Sequence, residues 1–287
     1  MSQLKQNSNI SVERKDLSYF NDLEFVEYSI NENEIWKHLF SQQLENLKNK
    51  AIPVFFDYLK KYNLPVEKIP QLYEVSKAIK KDTGWEIVKV EELIDNLTFF
   101  SFLAERKFPS TTYIRQQEEI EISKDPDIFH ELFGHVTMLF CSKHAHYLQV
   151  FGEIALTLSE LELKLFQRLF WFTYEVGLIN TTDGVKIYGG SVLSSLKESS
   201  FALFGDPNYR KPFSLVDILR SPYRADQLQT NYFILDDFQT LYNILDDKKY
   251  LIEKIWEAYE LGEYKAHFST DNSRYESINC CSKILIS

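Results

Sequence analysis

The spacing of apolar and polar residues predicts a chain built mainly of helices. Between Asn31 and Lys50, apolar residues recur at three- and four-residue steps, as in an amphipathic helix. Proline-bounded segments 51–62 and 71–81 predict two more helices, and residues 248–259 predict a last one. Residues 145–176 are apolar nearly all round, so we expect one long buried helix that ends at Gly177.

Short extended segments add a small β content. Val88 lies in a short apolar run that predicts a strand, before a helix that begins near Glu91 and Glu92. Alternation over residues 111–122 is typical of a strand or extended loop, and residues 186–194 predict a short strand and a Gly-Gly turn. The predicted fold class is therefore mainly α, an α+β fold with small β content. We expect a polar arm over residues 1–20 and a single catalytic domain over residues 21–287.

Composition excludes several classes of protein. The net charge of −10 argues against nucleic acid or an anionic membrane as partner, because both require a basic surface. The polar first residues lack a signal peptide, and no run reaches the ~20 apolar residues that span a bilayer, so we expect a cytoplasmic protein. Cys141, Cys280 and Cys281 are odd in number and lack CxxC spacing, which argues against a disulfide framework or zinc knuckle.

The candidate chemistry lies in the segment DPDIFHELFGH, residues 125–135, which contains two of the six histidines. His130 and His135 are five apart, so a regular helix would place them about 140° apart. The zinc peptidase motif needs a spacing of four. Gly134 can leave helical geometry and bring His135 back toward His130, so we expect the helix to end or distort there. We expect Asp125 to cap this helix, with Pro126 at its first position.

A third metal ligand is needed, and Glu175 is the best candidate. It lies in a strongly apolar run, where an ionised carboxylate is costly unless it is paired or bound to a cation. Two histidines and one carboxylate leave part of the coordination sphere open, which favours iron(II) over structural zinc. Other interpretations stay open at this point. They are a buried salt bridge for Glu175, a zinc hydrolase with Glu131 as general base, and a helical binding protein with both histidines in its core.

Five motifs together resemble those of one enzyme family. TTYIRQ, DPDIFHELFGH, WFTYEVGL, YGGSVLSS and DFQTLY occur in order between about Leu93 and Tyr242. The chain resembles the pterin-dependent aromatic amino acid hydroxylases, and among them the bacterial members that act on phenylalanine. The resemblance implies a monooxygenase that uses iron(II), a tetrahydropterin and dioxygen to hydroxylate the ring of a free aromatic amino acid. Phenylalanine 4-hydroxylation is the expected reaction, with tryptophan hydroxylation or broad specificity as alternatives.

The resemblance also implies roles for individual residues. The iron ligands would be His130, His135 and Glu175. The substrate side would be formed by Arg115, Ser123, Pro126, Asp127, Trp171, Ser194 and Glu198. The pterin would contact Ile94, Phe99 and Glu131. Among these, Arg115 would bind the substrate carboxylate, Phe99 would stack on the pterin and Ser194 would steady His130.

Some positions depart from the family's usual residues. Val176 replaces a common Phe, and Ser191 replaces a common Gly near the substrate, so both changes could reshape the pocket. Ile234 lies near a position where Asp accompanies tyrosine hydroxylation, which disfavours a dedicated tyrosine hydroxylase. The last 21 residues lack a heptad repeat and nothing suggests a separate regulatory domain, so we expect a monomer or weak dimer that works on small molecules alone.

Overall fold

The computed structural model describes residues 23–91, 94–120 and 125–266. Its α-helices are α1 Ile30–Asn46, α2 Pro53–Tyr62, α3 Leu72–Thr83, α4 Asn96–Ala104, α5 Ser142–Ala155, α6 Glu160–Phe170, α7 Gly190–Ser194, α8 Leu196–Phe204, α9 Leu215–Arg220, α10 Phe238–Asp246 and α11 Lys248–Leu261. Its strands are β1 Glu86–Lys89, β2 Lys107–Ser110, β3 Leu178–Thr181, β4 Gly184–Ile187, β5 Arg210–Pro212 and β6 Tyr232–Leu235. The predicted N-terminal arm, residues 1–20, lies outside the described residues, and so do the last 21 residues, 267–287.

The helices near the N-terminus follow the local sequence signals. Ser29 and Glu32 form a capping box at the start of α1, and the periodic apolar residues Ile35, Trp36 and Leu39 are buried. Helices α2, α3 and α11 also occupy their predicted segments within a few residues. Propensity, capping and burial agree in these segments, so the prediction of a mainly helical fold is confirmed.

The β content is small, as expected. Strands β1 and β2 form a parallel pair. The other four form a sheet in the order β4-β3-β6-β5, in which β3 is antiparallel to β4 and parallel to β6. Strand β3 directly follows the segment that carries Glu175, so this sheet fixes the end of that segment. Within the described residues, no helix combines the length and the hydropathy that crossing a membrane requires.

Two local predictions were wrong, and a third was decided between its alternatives. The long helix over 145–176 is two helices, because Ser159 and Glu162 form a capping box that starts α6 anew after the break that follows α5. Helix α4 begins after its cap Asp95 rather than at Glu91. Of the two alternatives for residues 111–122, the described part is a loop with a short 3₁₀ turn at Gln117–Glu119, and the nearest strand, β2, ends at Ser110.

Candidate metal centre and active site

The helix that carries the histidines is capped by Asp127. Its Oδ1 atom accepts the backbone N–H of His130 at 2.9 Å, and its carbonyl accepts the N–H of Glu131 at 3.0 Å. The predicted cap, Asp125, is two residues too early, and Pro126 precedes the cap instead of opening the helix. The cap shifts because Asp127 is also fixed by Arg115, a partner 12 residues away in the chain.

A π-helical turn over His130–His135 explains how two histidines five residues apart can lie on the same side of the helix. Its hydrogen bonds join residues five apart, as between the Val136 N–H and the Glu131 carbonyl, so both imidazoles face one side. The predicted distortion is confirmed, but its expected cause is wrong. Gly134 keeps a negative φ. A Cβ atom on it would lie 2.5 Å from the carbonyl oxygen of Gly190, so glycine allows a close approach of two backbones.

A second π-helical turn, Trp171–Glu175, brings the carboxylate to the histidines. Glu175 Oε2 lies 3.2 Å from His135 Nε2 and 3.9 Å from His130 Nε2, and the two Nε2 atoms are 3.1 Å apart. Glu175 is buried, with 2% of its surface exposed. The structure therefore brings together the three residues that the sequence proposed as metal ligands, from positions up to 45 residues apart.

Glu131 is a second carboxylate in the same place. Its oxygen lies within 4.8 Å of the ligand atoms of His130 and His135. Burial raises the pKa of Glu131 well above its usual value, and the neighbouring charges of Glu175 and Asp127 raise it further. Glu175 is the better candidate for the third ligand, because its Oε2 atom is only 3.2 Å from His135 Nε2.

The His130 imidazole is held by Ser194. The Ser194 hydroxyl donates to the carbonyl of Gly190 at 2.9 Å and lies 3.0 Å from His130 Nδ1. Because its hydrogen is used on that carbonyl, its oxygen accepts from the Nδ1–H group. That contact selects the tautomer whose Nε2 lone pair is free for a metal. Burial lowers the pKa of His130 to about 4, and the adjacent His135 lowers it too, so the ring is neutral at neutral pH.

Arg115 and Asp127 form a buried ion pair beside this helix. Arg115 Nε and Nη2 donate to the two carboxylate oxygens of Asp127, each at 2.8 Å, and the Arg115 backbone N–H donates at 2.9 Å. Burial alone would raise the pKa of Asp127, but the charge and hydrogen bonds of Arg115 outweigh it and hold that pKa below its usual range. The guanidinium is thus fixed in one orientation.

Trp171 and Glu198 lie in one hydrogen-bonded network. Trp171 stacks on Tyr223 at 4.5 Å between ring centroids and donates its Nε1–H to Gln229 at 3.0 Å. The Gln229 backbone N–H and the Tyr232 hydroxyl both donate to Glu198 Oε1, at 3.2 and 2.8 Å. Burial raises the pKa of Glu198 to about 7, although these two hydrogen bonds act in the opposite direction. Sequence reasoning missed Gln229 and Tyr232, which no motif marks.

The residues expected near the pterin differ in how deeply they are buried. Phe99 is buried and packs edge-on against Phe100 and Phe170, at centroid distances of 5.4 and 5.5 Å. Ile94 is half-buried against the core.

On the substrate side, the carbonyl of Pro126 accepts a hydrogen bond from the Tyr113 hydroxyl at 2.7 Å. Ser123, which the resemblance places at the substrate, lies outside the described residues.

The fold and the site together define a class of protein. The sequence model of one protein family, the biopterin-dependent aromatic amino acid hydroxylases, matches residues 4–269 of this chain. The chain therefore belongs to that family. This confirms the resemblance and the fold class, and it favours a hydroxylase over the zinc hydrolase and the binding protein.

Individual relatives narrow the comparison. The phenylalanine-4-hydroxylase of Pseudomonas aeruginosa is 38% identical over 211 residues, which cover 74% of this chain and 80% of that protein. The phenylalanine-4-hydroxylase of Vibrio cholerae is 36% identical over 210 residues, 73% of each chain. Among solved structures, the cold-active phenylalanine hydroxylase of Colwellia psychrerythraea is 41% identical with a TM-score of 0.81, over 86% of this chain and 95% of that one. The Legionella pneumophila phenylalanine hydroxylase is 42% identical with the same TM-score, over 85% and 96%.

Proposed function

We propose that this chain is an iron(II)- and tetrahydropterin-dependent monooxygenase that hydroxylates the ring of phenylalanine to give tyrosine. The observation that carries the proposal is the convergence of His130, His135 and Glu175 in a chain of this family. The names of the relatives support phenylalanine as the substrate.

The donor set fits iron. Two ligands at right angles, each about 2.1 Å from an ion, would be ~3 Å apart. His135 Nε2 lies 3.1 Å from His130 Nε2 and 3.2 Å from Glu175 Oε2, which matches this spacing, while His130 Nε2 and Glu175 Oε2 are wider apart, at 3.9 Å. Two imidazoles and one carboxylate leave open positions, the arrangement typical of iron(II) oxygenases. When bound, iron and a tetrahydropterin would supply dioxygen activation, and the protein supplies orientation and a dry site.

Substrate binding is assigned to the buried face beside the metal helix. Arg115 would pair with the amino acid carboxylate, and Asp127 holds its guanidinium in position for that contact. Trp171 would wall the aromatic pocket together with Pro126, since its ring is fixed by Tyr223 and Gln229. Ser123 and Glu198 would complete this side. Ile234, half-buried on β6, offers no carboxylate to a tyrosine hydroxyl.

Pterin binding is assigned to Phe99, Ile94 and Glu131. Phe99 and Ile94 lie at the start of α4 and just before it, and Glu131 lies on the metal helix. An aromatic ring and an aliphatic side chain suit a flat ring system, while a carboxyl group can accept or donate hydrogen bonds at its polar edge.

The test is a product assay. Purified protein with iron(II), a tetrahydropterin and dioxygen is given phenylalanine, tryptophan or tyrosine in turn, and amino acid products and oxidised pterin are quantified. We expect tyrosine from phenylalanine, in proportion to the pterin oxidised. H130A should form none, and H146A, which changes an exposed histidine, should behave as wild type. Preferential formation of hydroxytryptophan would overturn the choice of substrate, and absence of any hydroxylated product would overturn the reaction.

A further inference from the structure

The short helix α7 contacts every one of the three proposed metal ligands. Gly190 packs so closely on His135 that an added Cβ atom would lie 2.3 Å from the imidazole ring. Ser194 is hydrogen-bonded to His130, at 3.0 Å from Nδ1. Ser191 donates its hydroxyl hydrogen to Glu175 Oε2 at 2.5 Å. One turn of helix therefore positions ligands that come from two other segments of the chain.

The Ser191 contact differs from the other two. Its partner is Oε2, the same carboxylate oxygen that lies 3.2 Å from His135 Nε2 and so faces the metal position. A carboxylate oxygen has two lone-pair directions, so Oε2 can accept from Ser191 and bind an ion at the same time. Ser191 is half-buried, in a position where the family resemblance led us to expect glycine.

We propose that Ser191 is a positioning residue that holds the Glu175 carboxylate in its metal-binding orientation. This inference rests on the proposed function, since it assigns Glu175 to the metal. A free carboxylate can rotate and present either or both oxygens to an ion. The hydroxyl of Ser191 fixes Oε2 against the histidines and thereby favours coordination through that one oxygen, which keeps the remaining positions open for reactants.

Helix α7 is well placed for this task because it is itself anchored. Gln43 on α1 donates to the Leu193 carbonyl of α7 at 2.6 Å, and within α7 the Ser194 hydroxyl stiffens the turn by donating to the Gly190 carbonyl. A ligand held by an anchored hydroxyl loses less orientational freedom when the metal binds. Groups that support metal ligands in this way typically contribute 10–100-fold to metal affinity.

The test measures metal binding rather than turnover. Metal-free wild type, S191A, S191G and S191T are titrated with cobalt(II) and with iron(II) in competition with a chelator, and the cobalt absorption spectrum is recorded. We expect S191A and S191G to bind each metal about 10-fold more weakly, with a changed cobalt spectrum, because the Ser191 hydroxyl no longer orients the Glu175 carboxylate. S191T keeps the hydroxyl and should restore both properties. Wild-type affinity and spectrum in S191A, or tighter binding, would overturn the proposal.

Controls separate this result from general damage and from failure of the proposed function. S221A removes a buried hydroxyl that donates to the Asp217 carbonyl on α9, and it should leave metal affinity unchanged. Thermal unfolding of each metal-free variant shows whether it is folded. If S191A does not fold, S191T decides: weak metal binding by a folded S191T would also overturn the proposal. If wild type itself binds neither metal, the proposed function fails. If wild type binds and S191A binds equally, only the role of Ser191 fails.

Discussion

Asp127 Oδ1 accepts the backbone N–H of His130 at 2.9 Å, so the residue that orients Arg115 also caps the helix that presents the first histidine. The same oxygen accepts Arg115 Nη2 at 2.8 Å. A displacement of Arg115 would therefore reach the metal ligand through a single carboxylate. The proposed binding sites for the substrate carboxylate and the metal are mechanically joined at this residue.

Removing the Asp127 carboxylate should destabilise the protein strongly. D127A leaves the Arg115 guanidinium buried without its counterion and removes the helix cap, so we expect a loss of about 3–5 kcal/mol in the free energy of unfolding. Chemical denaturation of the metal-free protein measures it. D82A breaks the partly exposed Lys61–Asp82 pair and should cost less than about 1 kcal/mol. Similar losses in the two variants would contradict this account.

The ionisation of Glu198 should make stability depend on pH. Its pKa is about 7 in the folded protein, against an ordinary value of 4.5, so the folded state binds more protons between these values. The contribution of Glu198 to the free energy of unfolding is therefore complete below pH 4.5 and is lost as the pH rises through 7. The loss is roughly 3 kcal/mol at most.

Glu198→Gln isolates that effect. The amide oxygen can still accept from Tyr232 and Gln229, while the charge is gone. The free energy of unfolding of E198Q minus that of wild type should increase between pH 5 and pH 8, as measured by urea denaturation at several pH values. A difference that stays constant over this range would show that Glu198 does not titrate as described.

A side chain at Gly134 should disrupt the metal helix. The Cβ atom of G134A would lie 2.5 Å from the Gly190 oxygen and 3.1 Å from its carbonyl carbon, and both are backbone atoms that cannot rotate away. We expect a loss of about 1–3 kcal/mol in stability and weaker cobalt binding, because α7 must move from the histidines. Thermal unfolding and cobalt titration measure the two effects. Wild-type thermal stability and wild-type cobalt binding in G134A would show that α7 can shift to accommodate the added Cβ atom without a loss of stability.

Trp171→Phe should weaken binding of the amino acid substrate more than it weakens the fold. The change removes the donor to Gln229 and shortens the ring that stacks on Tyr223. We expect the KM for phenylalanine to rise about 10-fold, as for loss of 1–2 kcal/mol of binding. W85F alters another buried Trp, with 1% of its surface exposed, and should lower stability while leaving KM unchanged. A similar KM in both variants would show that Trp171 does not line the substrate pocket.

The sequence by itself determined the features that depend on neighbours in the chain. Helix α1 follows from its capping box and from the spacing of Ile35, Trp36 and Leu39, all of which are buried. The five-residue spacing of His130 and His135 required a distorted helix if they were to share an ion, and the structure has a π-helical turn there. Such patterns are local, and local geometry decides them.

Only the tertiary structure decided how the site is assembled. Asp127 displaces Asp125 as cap because Arg115, in another segment, holds its carboxylate. The need for glycine at position 134 comes from the backbone of Gly190, and the contact of Ser191 with Glu175 joins residues 16 positions apart. These relationships arise where separate segments pack together. No periodicity or capping rule encodes them, because each depends on atoms that are near in space and distant in sequence.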